Sequence, residues 1–159
     1  MELYLMQHGL CLSEAEDPRK PLSPEGRQGI ETSAKALAKM GLSFDLILSS
    51  DKLRAKETAE IVAKATGYQG EIKEYKAFKP TAPVEEALKV LKECAQERVL
   101  VAGHLPSLAE ITSYLLGGEK KVKVRFRNGG LVALETNLEP GEAELLFALT
   151  PEQLALIAG

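Results

Sequence analysis

The chain contains two histidines, His8 and His104, and each lies next to a glycine where a short apolar run ends. Apolar runs of this length, bounded by Gly or Pro and followed by helix signals, are typical of strands in an α/β sheet. Ligands bind such sheets in the crevice beyond the carboxyl ends of the strands. The two imidazoles are therefore predicted to face one pocket, although a lone histidine is more often a hydrogen-bonded structural residue.

Arg54 is a third candidate, because it is predicted in the first turn of a helix that follows Ser49, Ser50 and Asp51. Free backbone N–H groups and the positive end of the helix dipole favour an anion at such a position. The guanidinium adds two parallel N–H donors that match the oxygens of a phosphate. An isolated surface arginine would have no such role, so this prediction depends on Arg54 sharing a rim with the histidines.

Imidazoles beside an anion site suggest phosphoryl transfer, in which one ring is the nucleophile and the other stabilises charge on the phosphoryl oxygens. The helix dipole and Arg54 favour a charged His104, although the sequence alone does not fix its protonation state. Neither Cys11 nor Cys94 has the arginine six residues downstream that a cysteine-dependent phosphatase uses, and no glycine-rich phosphate loop is present. No second His or Cys stands at ligand spacing from either histidine, so no metal is expected.

Composition limits the class of protein. The chain has 159 residues, of which 45% are hydrophobic and 27% charged, as in a globular domain with a core. A net charge of -3 argues against a surface that coats nucleic acid. No apolar stretch reaches the roughly 18 residues of a membrane helix, and no basic segment or cleavage site precedes the first strand. Two cysteines do not make a disulfide framework, so we expect reduced thiols in the cytoplasm. Together with the charge and the lack of a long apolar stretch, this predicts no nucleic-acid or membrane partner.

Strand and helix signals alternate along the chain and predict one α/β domain over residues 1–159, with helices on both faces of the sheet. Strands are predicted at residues 3–7, 44–48, 71–75, 99–102, 121–127, 131–134 and 145–147. Helices are predicted to begin near Ser23-Pro24, after Ser49 to Asp51, after Pro83, after His104 and at Thr150-Pro151. Gly41, Gly67 and Gly118 are the predicted helix stops.

Four segments occur in order along the chain: Gln7-His8-Gly9, Pro21-Leu22-Ser23-Pro24-Glu25-Gly26, Ser49-Ser50-Asp51-Lys52-Leu53-Arg54-Ala55-Lys56-Glu57-Thr58 and Gly103-His104-Leu105-Pro106. Together they resemble the histidine phosphatase superfamily. The short length and the Gly-His-Leu-Pro element make the chain most similar to the small bacterial phosphohistidine phosphatases of the SixA type. The resemblance spans nearly the whole chain, with only strand pattern in common over the last 40 residues or so.

This resemblance implies a phosphoglycerate mutase-like fold, a three-layer α/β/α sandwich whose sheet is mostly parallel with an antiparallel edge. It implies that His8 is phosphorylated transiently, that Arg54 and His104 bind the phosphoryl group, and that water releases inorganic phosphate. No metal or organic cofactor is implied. The expected substrate is phosphohistidine in a signalling protein such as a phosphotransfer domain. Nitrogen-linked phosphate suits a site with a poor general acid, because its imidazole leaving group can depart protonated.

The chain departs from the family pattern at Gln7, where the family has arginine. Glutamine can donate an N–H to phosphate but carries no charge; hydrogen bonds to charged groups contribute about 1.5–3 kcal/mol, so losing part of one would cost roughly tenfold in rate. Leu10 stands where family members often have an acidic residue, and no carboxylate lies near Ala77, where many relatives place an acid. Lys20 lies where relatives have an arginine. Gln7, Gly9, Lys20 and Ser23 are thus predicted to add to phosphate binding by Arg54 and His104.

Two other functions fit the same residues. A non-catalytic phosphate or phosphoprotein binder could have kept the fold after losing arginine at position 7. A phosphatase of small phosphomonoesters would need a general acid, which the sequence does not offer. The basic residues 120–127 also have two interpretations: charges on an exposed edge strand prevent aggregation, or they form a docking face for an acidic phosphoprotein.

Overall fold

The computed structural model describes residues 1–159 and contains six strands that alternate with five α-helices. The strands are β1 (Glu2–Gln7), β2 (Leu46–Ser49), β3 (Ile72–Glu74), β4 (Arg98–Gly103), β5 (Leu131–Glu135) and β6 (Glu144–Leu149). The helices are α1 (Pro24–Lys39), α2 (Leu53–Thr66), α3 (Val84–Cys94), α4 (Ser107–Gly117) and α5 (Pro151–Ala158), with a short 3-10 helix at Lys76–Phe78. No helix combines the length and the apolar character that crossing a membrane requires. Six of the seven predicted strands and all five helices are confirmed, with their ends shifted by a few residues.

The strands form one sheet in the order β3-β2-β4-β1-β5-β6. Strands β3, β2, β4 and β1 are parallel to one another, whereas β5 runs antiparallel to both β1 and β6. The mostly parallel sheet with an antiparallel edge is therefore confirmed. Within it, β1 and β4 pair so that Gln7 lies opposite Gly103. His8 and His104 consequently leave the sheet at adjacent points.

Alternating side chains of the central strands supply two separate cores, as the period of two in a strand requires. Tyr4 and Met6 of β1 pack against helices α1, α2 and α5 on one face. Leu3 and Leu5 pack against α3 and α4 on the other. Full burial of each such leucine contributes about 1.5–3 kcal/mol, so both faces of the sheet stabilise the fold. The predicted sandwich of helices, sheet and helices is confirmed.

Most helix ends follow their sequence signals. The Ser23 hydroxyl accepts a hydrogen bond from the Gly26 N–H at the start of α1, and Thr150 begins α5 with a complete capping box. Helix α2 ends at Gly67, which has a left-handed conformation with φ 72°. The start of α2 differs from the prediction, because its N-cap is Lys52, whose side chain makes no capping bond.

Residues 121–127 do not form the predicted strand. Their side chains alternate as expected, with four basic residues exposed, two valines half-buried and Phe126 buried. The Val122 N–H donates to the Ser113 hydroxyl of α4 at 2.9 Å and not to a neighbouring strand. The segment is therefore extended chain that packs one face on the core beside α4, and the sheet edges are β3 and β6. Alternation reports which face is buried, not whether a strand partner is present.

The loop between β1 and α1 is closed at its base. The Leu12 N–H donates to the Pro21 carbonyl at 2.9 Å, and Cys11 and Leu22 form an isolated antiparallel bridge. Residues 13–20 project from this closure as a mostly exposed loop. A carboxylate of α2, that of Glu57, anchors the base by accepting the Leu22 N–H at 2.9 Å.

The chain after β1 packs directly against α1 at two glycines. A Cβ atom on Gly26 would lie 1.9 Å from the carbonyl oxygen of Leu10, and one on Gly9 would lie 2.6 Å from Cγ1 of Ile30. Neither position has space for a side chain. This close approach holds the residues that follow His8 against the helix.

We expect Gly26→Ala to destabilise the protein, because its methyl group would overlap the Leu10 backbone; overpacking of this kind costs about 1–3 kcal/mol. Gly29→Ala is the matched control in the same helix, where an added Cβ has no neighbour within 4 Å. That control should be neutral or stabilising by about 0.5–1 kcal/mol. Denaturant unfolding measures both free energies, and equal values would contradict the close approach.

Candidate functional site

The two histidines lie together beyond the carboxyl ends of β1 and β4. Their ring centroids are 4.9 Å apart, with the planes inclined by 56°. The backbone N–H of His8 donates to the Gly103 carbonyl at 3.0 Å, which extends the strand pairing by one residue. The predicted convergence of the rings is confirmed.

His8 has the electronic state of a nucleophile. Its Nδ1 lies 2.7 Å from the carbonyl oxygen of Gly9, and because a carbonyl can only accept, Nδ1 carries the hydrogen. Nε2 therefore carries the lone pair. Burial, helped by the nearby charges of Arg54 and Lys20, outweighs the opposing effect of the Gly9 hydrogen bond and lowers the pKa of His8 to about 4. The ring is thus neutral at pH 7.

His104 is buried, and its Nε2 lies 2.6 Å from Oγ of Ser50, which is also buried. Ser50 Oγ accepts the Lys52 N–H at 3.2 Å, and no other acceptor is within reach of its hydroxyl hydrogen. We infer that Ser50 donates to Nε2 and that Nδ1 carries the hydrogen of the ring. His104 Nδ1 is itself buried and has no partner in the protein. It is therefore a donor in need of an acceptor, such as an oxygen of an oxyanion.

The structure does not support the charged His104 that the helix dipole and Arg54 favoured. Burial first, and then His8, Arg54, Lys52 and Lys20, lower its pKa to about 3. Neighbouring cations disfavour a second positive charge, so the arginine that should attract phosphate acts against protonation of the ring. A phosphoryl dianion between these groups would reverse the effect.

Three cations surround the histidine pair. Arg54 lies in the first turn of α2 as predicted, Lys52 precedes that helix, and Lys20 ends the exposed loop with φ 49°. None of the three forms an ion pair within the protein. No Asp or Glu is among the charges that shift the pKa of either histidine. The local balance of charge therefore favours an anion.

Thr58 connects the chain next to His8 to the helix that bears Arg54. The Gly9 N–H donates to the Thr58 hydroxyl at 3.1 Å, and that hydroxyl donates to the Arg54 carbonyl at 2.8 Å. On the other side, the side-chain amide of Asn128 donates to the His8 carbonyl at 2.9 Å. The backbone on both sides of the His8 ring is thus fixed by side chains from distant parts of the chain.

The other predicted phosphate ligands have mixed outcomes. The Oε1 atom of Gln7 is buried without a partner. Because this oxygen is an acceptor, binding of phosphate would need the Nε2 hydrogens, and it stays a prediction. The Gly9 N–H is taken by Thr58, and the Ser23 hydroxyl accepts from Gly26 and donates to the Leu10 carbonyl at 3.4 Å. These contacts give Gly9 and Ser23 structural roles, and their binding of phosphate stays a prediction that the contacts do not favour.

Sequence reasoning missed Ser50, Thr58 and Asn128 as parts of the site. Ser50 was detectable, because it follows the apolar run of β2 at the same sheet edge as the histidines. Thr58 ends the third segment of the family resemblance, whereas Asn128 gave no signal. No group of three or more His, Cys, Asp or Glu comes together to hold a metal ion.

The fold is an α/β/α sandwich with two neutral histidines and three unpaired cations beyond the carboxyl ends of its strands. This arrangement is suited to binding phosphate. The histidine phosphatase superfamily (branch 1) pattern matches residues 3–79. An uncharacterized protein of Picosynechococcus sp. (strain PCC 7002) is 31% identical over 94% of this chain and 96% of its own. The chain therefore belongs to the histidine phosphatase superfamily.

Solved structures share the fold. The protein histidine phosphatase SixA, complexed with tungstate, matches with a TM-score of 0.86 and 23% identity over 97% of this chain and 99% of its own. A phosphoserine phosphatase mutant from Entamoeba histolytica, in complex with phosphoserine, matches with a TM-score of 0.73 and 16% identity over 96% and 98% of the two chains. The phosphoglycerate mutase-like fold implied by the sequence resemblance is confirmed.

The two histidines make the hydrogen positions directly measurable by ¹⁵N NMR of histidine-labelled protein. We expect both rings to carry hydrogen on Nδ1 and to stay neutral between pH 8 and pH 5, because their pKa values are lowered to about 4 and about 3. Ser50→Ala should give His104 a mixture of tautomers. Ser49→Ala is the control, because that hydroxyl bonds only the Ser50 carbonyl. A His104 ring that titrates near 6.5, or carries hydrogen on Nε2, would contradict this assignment.

Proposed function

We propose that the protein is a phosphohistidine phosphatase, which removes phosphate from a histidine of a cytoplasmic signalling protein through a phospho-His8 intermediate. The observation that carries this proposal is the pair of neutral histidines among three unpaired cations, with no carboxylate acting on them. Cys11 and Cys94 are free thiols, in keeping with a reducing compartment. The expected partner is a phosphotransfer domain or another histidine-phosphorylated protein.

In the first proposed step, Nε2 of His8 attacks phosphorus in line with the bond to the substrate imidazole. The substrate ring already carries a proton on its other nitrogen, so it leaves as a neutral imidazole when that P–N bond breaks. Arg54, Lys20 and Nδ1–H of His104 stabilise the charge on the phosphoryl oxygens during the transfer. Gln7 contributes an amide donor without charge. Water then attacks phospho-His8, the new P–N bond breaks, and inorganic phosphate leaves.

The nature of the leaving group favours phosphohistidine over a phosphomonoester. An alkoxide needs a proton from a general acid as it leaves, and the short 3-10 helix near the site offers only buried Ala77 and Phe78 where many relatives place an acid. An imidazole has an ordinary pKa near 6.5 and can leave already protonated. The fold shared with a tungstate-bound histidine phosphatase supports a site for a tetrahedral oxyanion.

One observation favours a second candidate, a phosphate-binding relative without turnover. The neutral side chain of Gln7 stands where the superfamily has arginine, and this removes one positive charge from the transition state. A small-molecule phosphatase is the third candidate, supported by the shared fold of the phosphoserine phosphatase but opposed by the missing acid.

Trapping the intermediate tests the proposal. The protein is mixed with a histidine-phosphorylated phosphotransfer domain, quenched rapidly in alkali and analysed by peptide mass spectrometry. A chromogenic phosphomonoester is assayed in parallel. We expect phosphate on His8 and release of inorganic phosphate, with much slower turnover of the ester. His8→Asn should abolish the label, whereas His104→Asn should slow its formation. Absence of both label and release would refute catalysis.

Gln7→Arg separates a slow catalyst from a binder. The added charge and second donor should raise kcat/KM for phosphohistidine roughly tenfold, because about 1.4 kcal/mol of transition-state stabilisation changes a rate tenfold. Gln69→Arg adds the same charge at an exposed position after α2 and should have no effect. Turnover that appears only in Gln7→Arg would identify the natural protein as a binder.

A further inference from the structure

Residues 120–127, which we call the basic strip, concentrate positive charge in a chain whose net charge is -3. Five of the eight side chains are basic and exposed: Lys120, Lys121, Lys123, Arg125 and Arg127. Arg127 pairs with Glu152 at 2.8 Å. The other four form no ion pair, although Glu110 and Glu119 lie nearby. The strip therefore presents four uncompensated cations.

Protection of a sheet edge does not explain these charges, because the strip has no place in the sheet, whose edges are β3 and β6. The strip is nevertheless held in place. Val124 and Phe126 pack into the core beside α3 and α4, and the Val122 N–H is bonded to Ser113. Since the alternate side chains are fixed inward, the basic ones point outward as a row.

The strip leads to the candidate site. The residue that follows it, Asn128, bonds the His8 carbonyl, and the Gly129 N–H donates to the Gln7 carbonyl at 2.9 Å. Phe126 and Arg127 line the same cavity of about 410 Å³ as Gln7 and Gly9. Eight extended residues reach at most roughly 26 Å at about 3.3 Å each. A small phosphorylated molecule held at His8 could not touch most of this row, whereas a protein surface could.

We propose that the basic strip is a docking surface for an acidic protein that carries the phosphohistidine. This inference rests on the proposed function and adds where the partner binds. Glu25 of α1 also lines the shared cavity and forms no ion pair, so it repels an acidic partner from the α1 side. The partner therefore approaches along the strip, with its phosphorylated side chain over His8. Such complementary charge raises association rates by 10 to 10³ and weakens as salt screens it over about 8 Å.

Charge reversal tests the docking surface. The strip variant is Lys121→Glu/Lys123→Glu/Arg125→Glu. The control, Lys35→Glu/Lys64→Glu/Lys89→Glu, makes the same change in net charge at exposed lysines of α1, α2 and α3. The substrates are a histidine-phosphorylated phosphotransfer domain with an acidic surface and free phosphohistidine. We expect the strip variant to lose 10- to 100-fold in kcat/KM for the domain at low salt and less than twofold for the free amino acid. The control should keep both activities.

Other results would overturn the inference. Equal losses on both substrates would assign the strip to the chemistry, and equal losses in both variants would assign the effect to net charge. An unchanged kcat/KM for the domain, with turnover of free phosphohistidine intact, would refute docking while leaving the proposed function in place.

If the unmodified protein hydrolyses neither substrate, the proposed function fails, and the affinity of both variants for the phosphorylated domain decides the docking question. Weakening confined to the strip variant supports the surface, and no weakening refutes it. Tighter binding of duplex DNA or anionic vesicles than of the domain would assign the strip to another class of partner.

Discussion

The parallel pairing of β1 with β4 is the constraint on which the rest of the structure depends. It sets Gln7 opposite Gly103, so the next residue of each strand is a histidine that leaves the sheet beside the other. A slip of one residue would move the rings apart by about 3.3 Å and turn every side chain of β1 to the opposite face. Because Leu5 and Met6 pack into different cores, that slip would also bury the wrong residues. Stability and site geometry are therefore fixed by the same register.

The candidate site contains charges and buried polar atoms that have no partner within the protein. Two histidines are held neutral, three cations lack partners, and His104 Nδ1 and Gln7 Oε1 are buried without hydrogen bonds. Each of these features costs stability in the unliganded protein. Their concentration beside one pair of strand ends is typical of a functional site, where a ligand satisfies what the protein does not.

The sequence predicted most of the features that depend on local signals, except the strand at residues 121–127 and the start of α2. Ser23 and Thr150 begin helices, Gly67 ends one, and apolar runs give six strands to within a few residues. The hydrogen bonds of Ser50 to His104, Thr58 to Gly9 and Asn128 to His8 join positions 54, 49 and 120 residues apart, and no local pattern encodes them. The sequence also left the protonation state of His104 open, because burial is a property of the whole fold.

The closed base of the loop at residues 13–20 makes the position of His8 independent of the length of the loop. Leu12 and Pro21 pair at the base, and Glu57 anchors it. Insertions in the exposed part of the loop would therefore not move His8. Doubling the length of a flexible loop costs only about 0.6 kcal/mol of closure entropy. Residues 13–19 can therefore vary in length and sequence, provided that Lys20 keeps its place next to the base of the loop. The fold thus allows different loops next to the site while His8 and His104 keep their positions.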